Sequence, residues 1–437
     1  MSDVGELYQA IPLEELVKLL PEPKQAMSGK GCKPWFDVKG GIALQFLKHY
    51  LRVSDAQLIE RINTDWALQF FCGVQLGRDE IIADKNLPGT WRSYIGRYLD
   101  IEKWQPVLSK AWKPYMKETN ASSQDATCYE SYIEYPTHVK TIWKGCNELH
   151  LLIQRTRNEA GLRKSRNNYD KRRKLYLSYQ KKRKKSRKQE KKLRKILLKY
   201  LRRLIELLDE LINKLPSLMS INKYKRVNTI REIYNQQHDY AYGKTERIDK
   251  QIVSIDKPYL RPIVRGKEIK PVEFGAKVNK IQVDGINMIE LLSYEAFHEG
   301  NRLAKGIRLH QELFGRCTLH AADAIYATNK NRTYCKGKGI TTNFIPKGKE
   351  KAAHIEQNGV MRSILNKERG TRLEGSFGNE KNHFLLNKVK ARTQHTETCW
   401  IFFGIHTANA KQIADRMVEK KRKESPPPDD LLLPLAA

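Results

Sequence analysis

Three acidic residues in separate parts of the sequence lie where a carboxylate can do chemistry. Asp125 lies in the strand-like segment SSQDATCYESYIEYPTHV, and Asp323 ends the apolar stretch TLHAAD. An acid at the carboxyl end of a buried strand can point into a crevice. Glu374 lies in a segment that we interpret as helical, and Lys381 follows seven residues later. Two helical turns separate these two residues, so they share nearly the same face of the helix.

Carboxylates in such settings are candidates for holding divalent metal beside a phosphodiester. Attack on that bond needs a deprotonated nucleophile and neutralised charge on the leaving oxygen, which two Mg²⁺ ions about 3.5–4 Å apart can supply. Hard cations of this kind take oxygen ligands. Any one of the 49 acidic residues is weak evidence alone. Asp284, in IQVDGIN, is a competing strand acid that spacing does not exclude.

The sequence lacks the signals of several other chemistries. It has no G-x-x-x-x-G-K-[ST] phosphate loop, no G-x-S-x-G or H-E-x-x-H motif and no dinucleotide fingerprint, so we expect no nucleotide cofactor. Its seven cysteines form no C-x-x-C pair, which argues against a zinc site or a disulfide framework. No apolar run is long enough for a membrane span. The scattered cysteines fit a reducing cytosol, so we expect a cytoplasmic protein.

Basic charge is concentrated in one segment. The 437 residues carry a formal net charge of +32, which suits a polyanion such as nucleic acid. Residues 155–203 hold 23 basic and three acidic residues, a net +20. We predict that this segment lies along DNA phosphates, with candidate contacts at Arg172, Arg173, Lys182, Arg183 and Lys184. The alternative is a solvated charged arm of no particular function.

Hydrophobic spacing predicts the elements that position these residues. An apolar stripe from Leu193 to Leu215 predicts a long helix or helical hairpin over about 160–215, which Pro216 ends. Residues 40–51 are amphipathic, and Ser54 with Gln57 forms a capping-box pattern. That pair of helices is either a helix-turn-helix or an ordinary part of the core. Further along, alternation predicts strands at 251–257, 272–286, 289–297 and 317–327, then helices from about 360. This order of elements predicts an α+β fold with a mixed sheet flanked by helices.

At its acidic segments the sequence resembles the DDE transposases of bacterial insertion sequences. Asp125-Ala126-Thr127, followed by Tyr135-Pro136-Thr137, is similar to the first-aspartate motif of that family. Residues 322–326, with Asn331-Arg332 and Gly339-Ile340 downstream, are similar to the second-aspartate motif of the family. Glu374 and Lys381 match the E-x6-K step. The family also has an arginine four residues before the glutamate, where this chain has Gly370 between Arg369 and Arg372.

The resemblance implies an architecture with an RNase H-like catalytic core. The implied division is a polar lead, a helical DNA-binding domain, a discontinuous catalytic domain, a basic helical insertion and a disordered tail. The polar lead would be 1–30 and the helical DNA-binding domain 31–118. The catalytic domain would comprise 119–154 and 246–415, with the basic helical insertion at 155–245 between them, and the disordered tail would be 416–437.

It also implies a function and a site. Asp125, Asp323 and Glu374 would hold two Mg²⁺ ions, which Mn²⁺ could replace, while Lys381 and, more weakly, Arg372 would bind DNA phosphate. The protein would bind the terminal inverted repeats of its element, cut them and join them to target DNA. It would act as a homodimer, associated with the bacterial nucleoid. Two alternatives stay open: an RNase H-like metal nuclease without strand transfer, and a non-enzymatic DNA-binding protein derived from a transposase.

Overall fold

The computed structural model describes residues 3–23, 34–165, 167–216, 219–264, 271–348 and 354–424. The chain divides into two compact units. The first, here the sheet unit, comprises Met1–Ser131, Ala276–Ser293 and Phe297–Ala437. The second, the helical unit, comprises Tyr132–Gly275 and Tyr294–Ala296. Within the described ranges, no helix combines the length and the apolar character needed to cross a membrane.

The sheet unit begins with a group of helices. They are α1 (Asp3–Ala10), α2 (Leu13–Val17), α3 (Val38–Leu51), α4 (Asp55–Thr64), α5 (Trp66–Cys72), α6 (Leu87–Tyr98) and α7 (Ile101–Trp112). Helix α3 is buried along most of its length, so it forms the centre of this group. Ser54 caps α4 by accepting from the backbone N–H of Gln57, whose side chain accepts in return from the backbone of Ser54. The predicted helix over 40–51 and the predicted capping box are therefore confirmed.

The described residues contain six strands: β1 (Ala121–Glu130), β2 (Pro262–Val264), β3 (Val272–Val283), β4 (Ile286–Ser293), β5 (Leu319–Ala322) and β6 (Thr341–Thr342). In the sheet unit their order is β3-β1-β5-β6, with β4 paired to β3. Strands β1, β5 and β6 run parallel, while β3 and β4 form an antiparallel hairpin. Asp284 and Gly285 make its two-residue turn with positive φ angles of 46° and 83°, which Asp-Gly tolerates well. The sheet is thus mixed, as predicted.

Helices cover this sheet. They are α12 (Leu303–Phe314), α13 (Asn329–Gly337), α14 (Ile355–Glu368), α15 (Glu374–His383) and α16 (Gln394–Glu424). A five-residue π-helical turn, Arg369–Leu373, joins α14 directly to α15. Helix α16 buries most of its first twenty residues and packs on α1, α3, α6 and β4. Only Leu365 is buried on α14, so that helix is largely exposed.

The helical unit is a bundle with a core of its own. Its helices are α8 (His138–Glu159), α9 (Tyr169–Lys181), α10 (Arg187–Lys214) and α11 (Ile221–Ala241), and β2 pairs with residues 272–274. The predicted apolar stripe of α10 is buried, including Leu197, Leu204 and Leu208, and it packs against α8 and α11. Tyr169 and Tyr176 stack on Trp143 of α8. The bundle therefore uses its tyrosines for packing.

Several predictions need correction. Of the two forms predicted for the basic segment, the structure agrees with the helical hairpin and not with one long helix, since α9 and α10 are separated at 182–186. The stripe of α10 packs into a bundle because it finds apolar partners on α8 and α11. Residues 251–257 form no strand. The lead is not simply polar, since α1 and α2 bury Leu7, Leu13 and Leu16. Residues 416–424 are helical, and the rest of the predicted tail lies outside the described residues. The predicted domain boundaries themselves stay predictions.

Candidate active site

Strand β1 places three functional side chains on one face. Because side chains alternate along a strand, Asp125, Thr127 and Tyr129 point to the same side of the sheet. Each has a contact on the segment from the π turn through α15. Asp125 contacts Arg369, Thr127 accepts from Lys381, and Tyr129 donates to Glu380. The helix therefore lies along this face of β1.

Asp125 and Asp323 are neighbours across two parallel strands. Gln124 of β1 pairs with Ala322 of β5. Asp125 and Asp323 are the residues that directly follow these two in the sequence. Parallel neighbours lie about 4.8 Å apart, so the register brings the two acids side by side. Asp125 is largely buried, whereas Asp323 is exposed and accepts from the backbone N–H of Ala324 at 2.7 Å.

Arg369 connects Asp125 to Glu374. Its Nη1 lies 3.3 Å from Oδ2 of Asp125 and 3.0 Å from Oε1 of Glu374. The π turn makes this possible, since the backbone N–H of Glu374 donates to the carbonyl of Arg369, five residues before it. In an α-helix, residues five apart point about 140° away from each other. The extra residue of the π turn therefore gives Arg369 the same-face position that a residue at spacing four has in an α-helix.

The charge around Asp125 is unbalanced. The pKa of Asp125 is raised to about 6, mainly by burial and also by the nearby Glu299 and Asp323. The backbone N–H of Ala126 and the Arg369 guanidinium act in the opposite direction. Glu299 is itself paired with Lys277 at 2.7 Å. The carboxylates of Asp125, in the middle of β1, and Asp323, just after β5, therefore lie where an additional cation would be stabilised.

Sequence reasoning missed a buried ion pair beside Lys381. Lys280 Nζ lies 2.6 Å from both carboxylate oxygens of Glu380, and both side chains are fully buried. Tyr129 and Asn287 donate to the same carboxylate. The available signal was a lysine within the apolar strand segment VNKIQV. This pair anchors α15 to the sheet, one residue before Lys381.

Lys381 and Arg372 have different surroundings. Lys381 Nζ donates to Oγ1 of Thr127 at 3.1 Å, on the face that carries Asp125. Arg372 instead contacts Glu368 at 3.1 Å and Asp284 at 3.6 Å. Asp284 is held by Arg416 at 2.8 Å in the β3–β4 turn, so it is a turn residue with an ion-pair partner. A cavity of about 1020 Å³ lies on the side of α15 opposite Glu374, and Arg372 lines it.

The predicted DNA contacts in the helical unit lie on exposed surfaces, with one exception. Arg173, Lys182, Arg183 and Lys184 are exposed, whereas Arg172 is half-buried. Within the described ranges, none of the four exposed residues has an acidic partner in an ion pair.

The donor chemistry of the site fits a divalent cation, although the geometry is not that of a formed metal centre. Carboxylate oxygens are the ligands that Mg²⁺ takes, and the unbalanced negative charge at Asp125 would be relieved by one. Among the residues that the structure describes, no three His, Cys, Asp or Glu side chains are grouped to hold a metal ion. Arg369 occupies the position between Asp125 and Glu374.

Comparison with known proteins bears on the second and third acidic segments. Residues 320–406 match the family described as transposase DDE domain. No curated protein and no solved structure matches the chain. The matched range contains Asp323, Glu374 and Lys381, and Asp125 lies outside it. The resemblance to DDE transposases is thereby confirmed over residues 320–406, which are similar to the transposase DDE domain.

Proposed function

We propose that this protein is a DNA transposase that cuts the ends of a mobile element and joins them to target DNA, using an RNase H-like core. The observation that carries the proposal is the convergence on β1. Asp323 lies beside Asp125 through the strand register, and Arg369 links Asp125 to Glu374. An acidic site of this kind, of which Asp323 and Glu374 lie in the range that matches the transposase DDE domain, suits metal-assisted attack on a phosphodiester.

In this proposal Asp125, Asp323 and Glu374 hold Mg²⁺, which Mn²⁺ can replace. When bound, the metal supplies nucleophile activation and charge neutralisation at the leaving oxygen. Lys381 holds a phosphate oxygen next to the scissile bond, because its ammonium group already lies against Thr127 on the acidic face. Hydrolysis frees a 3′-hydroxyl, which then attacks a target phosphodiester. One P–O bond forms as another breaks, so no external energy source is needed.

DNA binding is assigned to both units. The exposed basic side chains of α9, of α10 and of residues 182–186 bind phosphates without reading sequence, since clustered Lys and Arg release counterions from DNA. The N-terminal helices α3 to α6 recognise the element ends. Joining two ends at one target implies a homodimer in the active complex.

A strand-transfer assay tests the proposal. Wild-type protein, DNA carrying the inverted repeats that flank its gene, a target plasmid and Mg²⁺ should give joined products. Asp125→Asn, Asp323→Asn and Glu374→Gln should each lower the rate of joining by at least about 10²- to 10³-fold. Asp415→Asn is the matched control, because Asp415 is an exposed acid paired with Lys411 in the same unit. It should leave the rate unchanged.

Each alternative gives a different result. Metal-dependent cleavage without joined products would indicate a nuclease that lacks strand transfer. DNA binding that is unaffected by Asp125→Asn, with neither cleavage nor joining, would indicate a non-enzymatic binding protein. Either result would overturn the proposal.

A further inference from the structure

Arg369 occupies a position that a bound cation would also need. A single nitrogen, Nη1, lies within ion-pair distance of carboxylates from two different elements, Asp125 on β1 and Glu374 on α15. The side chains of Arg369 and Asp125 are only 18% and 15% exposed, so their contact is shielded from solvent, whereas the Glu374 side chain is 51% exposed. Partial burial strengthens an ion pair relative to the same contact in water.

The π turn fixes this position. Glu374 N–H donates to the carbonyl of Arg369, so the two residues stack on one face despite their spacing of five. π-Helical turns are rare and are frequently found at functional sites. The upstream helix α14 is largely exposed, so its packing does not require the extra residue. The contact between Arg369 and Glu374 is the visible consequence of that residue.

The guanidinium is incompletely satisfied in this position. Among the described residues, Nε of Arg369 is buried and has no hydrogen-bond partner. A buried donor without a partner destabilises the arrangement that leaves it unpaired. The present contacts of Arg369 are therefore a compromise, in which Nη1 neutralises two carboxylates while another donor is left unpaired.

We propose that Arg369 is an internal counter-ion of the acidic site, held in place by the π turn, and that it weakens divalent-cation binding by competing for Asp125 and Glu374. This inference rests on the proposed function, in which those carboxylates are metal ligands. A cation bound by the two carboxylates and a guanidinium between them repel each other and need the same space. Arg369 is accordingly a positioning residue: it holds the carboxylates together without metal and moves away when metal binds.

Mn²⁺ binding to the full chain, measured by titration calorimetry and by the electron paramagnetic resonance signal of free Mn²⁺, tests this without any activity assay. Arg369→Gln should bind Mn²⁺ about tenfold more tightly, which corresponds to about 1.4 kcal/mol. Arg372→Gln is the matched control, because Arg372 lies in the same π turn but pairs with Glu368 and Asp284. Its Mn²⁺ affinity should stay close to that of the wild type.

Thermal melting provides the second measurement. Without metal, Arg369→Gln should melt below the wild type, since Asp125 loses its counter-ion. Saturating Mn²⁺ should raise its melting temperature by more than that of the wild type, because tighter binding to the folded state stabilises it more. If Arg369 has a purely structural role, Arg369→Gln should melt below the wild type by the same amount with and without Mn²⁺. Its affinity for Mn²⁺ should then be unchanged or weaker. That result would overturn the inference.

Failure of the inference can be separated from failure of the proposed function. If Asp125→Asn and Glu374→Gln abolish Mn²⁺ binding while Arg369→Gln binds like the wild type, only the competition by Arg369 is refuted. If Asp125→Asn and Glu374→Gln bind Mn²⁺ like the wild type, the assignment of the metal ligands is refuted, and the inference with it.

Discussion

In the sheet unit, charged side chains near the site have defined partners at fixed positions, whereas several exposed basic side chains of the helical unit have no acidic partner among the described residues. Lys280 and Glu380 are fully buried and bind each other. Arg183 and Lys184, in contrast, are exposed. Chemistry on a phosphodiester needs a defined geometry, while attraction to a polyanion needs only charge density. Single substitutions should therefore have large effects in the sheet unit, whereas in the helical unit only combined substitutions should.

The largest effect should come from removing several basic side chains of the helical unit together. Replacing Arg173, Lys182, Arg183 and Lys184 by Gln should lower the slope of log affinity against log salt by about 3 to 4, because each phosphate contact contributes about 0.9. The affinity for nonspecific duplex DNA should fall by about a thousandfold at 0.1 M salt. Fluorescence anisotropy at several salt concentrations measures both quantities.

Lys184→Gln alone should cost less than about tenfold in the same experiment. An unchanged slope for the fourfold variant would show that these side chains do not contact phosphate. The fourfold variant is a better test than deletion of 160–214, because deletion would remove buried residues of α10 such as Leu197, Leu204 and Leu208.

In the sheet unit, one substitution should have a large effect on stability. Lys280→Met leaves the Glu380 carboxylate buried without its cation, which should lower the free energy of unfolding by about 3–5 kcal/mol. The exposed Lys199→Met on α10 should change it by less than about 0.5 kcal/mol. Chemical denaturation of both variants measures the difference. Equal effects would mean that burial does not distinguish the two regions.

If the proposed function is right, Lys381→Ala should lower the rate of strand transfer by about 100-fold, since the side chain would hold phosphate next to the acids. Its stability should change little, because the Lys280–Glu380 pair keeps α15 in place. Initial rates of joined-product formation provide the measurement. Retained activity would remove Lys381 from the site.

The smallest effects should be alike in both units, because helix capping is local. Ser54 caps α4 in the sheet unit, and Ser186 caps α10 in the helical unit by accepting from the backbone N–H of Gln189. Ser54→Ala and Ser186→Ala should each cost about 1 kcal/mol. Unfolding midpoints from urea titrations measure both costs. A severalfold difference between them would show that the units differ in more than their use of charge.

Local signals in the sequence predicted much of the fold. The capping box at Ser54 and the apolar stripe of α10 depend on neighbouring residues only, so spacing was sufficient. The strand expected at 251–257 shows the limit of this reasoning, because strand formation depends on a pairing partner that may be distant in sequence.

The site was predictable only in part. Motif spacing selected Asp125, Asp323 and Glu374, but their roles stay predictions. The Arg369 contact depends on a π turn, which no helical period anticipates. The pairing of Lys280 with Glu380 joins residues 100 positions apart. Such contacts follow from the tertiary fold, so sequence periodicity carries no information about them.

The packing of α1 on α16 has a consequence for protein synthesis. Gln9, just before the end of α1, accepts a hydrogen bond from Lys421 of α16, a separation of 412 residues. At about 5–20 residues per second, α1 emerges from the ribosome roughly 20–80 s before its partner. During that interval the nascent chain lacks α16, the helix on which α1 packs. The acidic cluster therefore reaches its final arrangement late in translation, and unfinished chains should be unable to cut DNA.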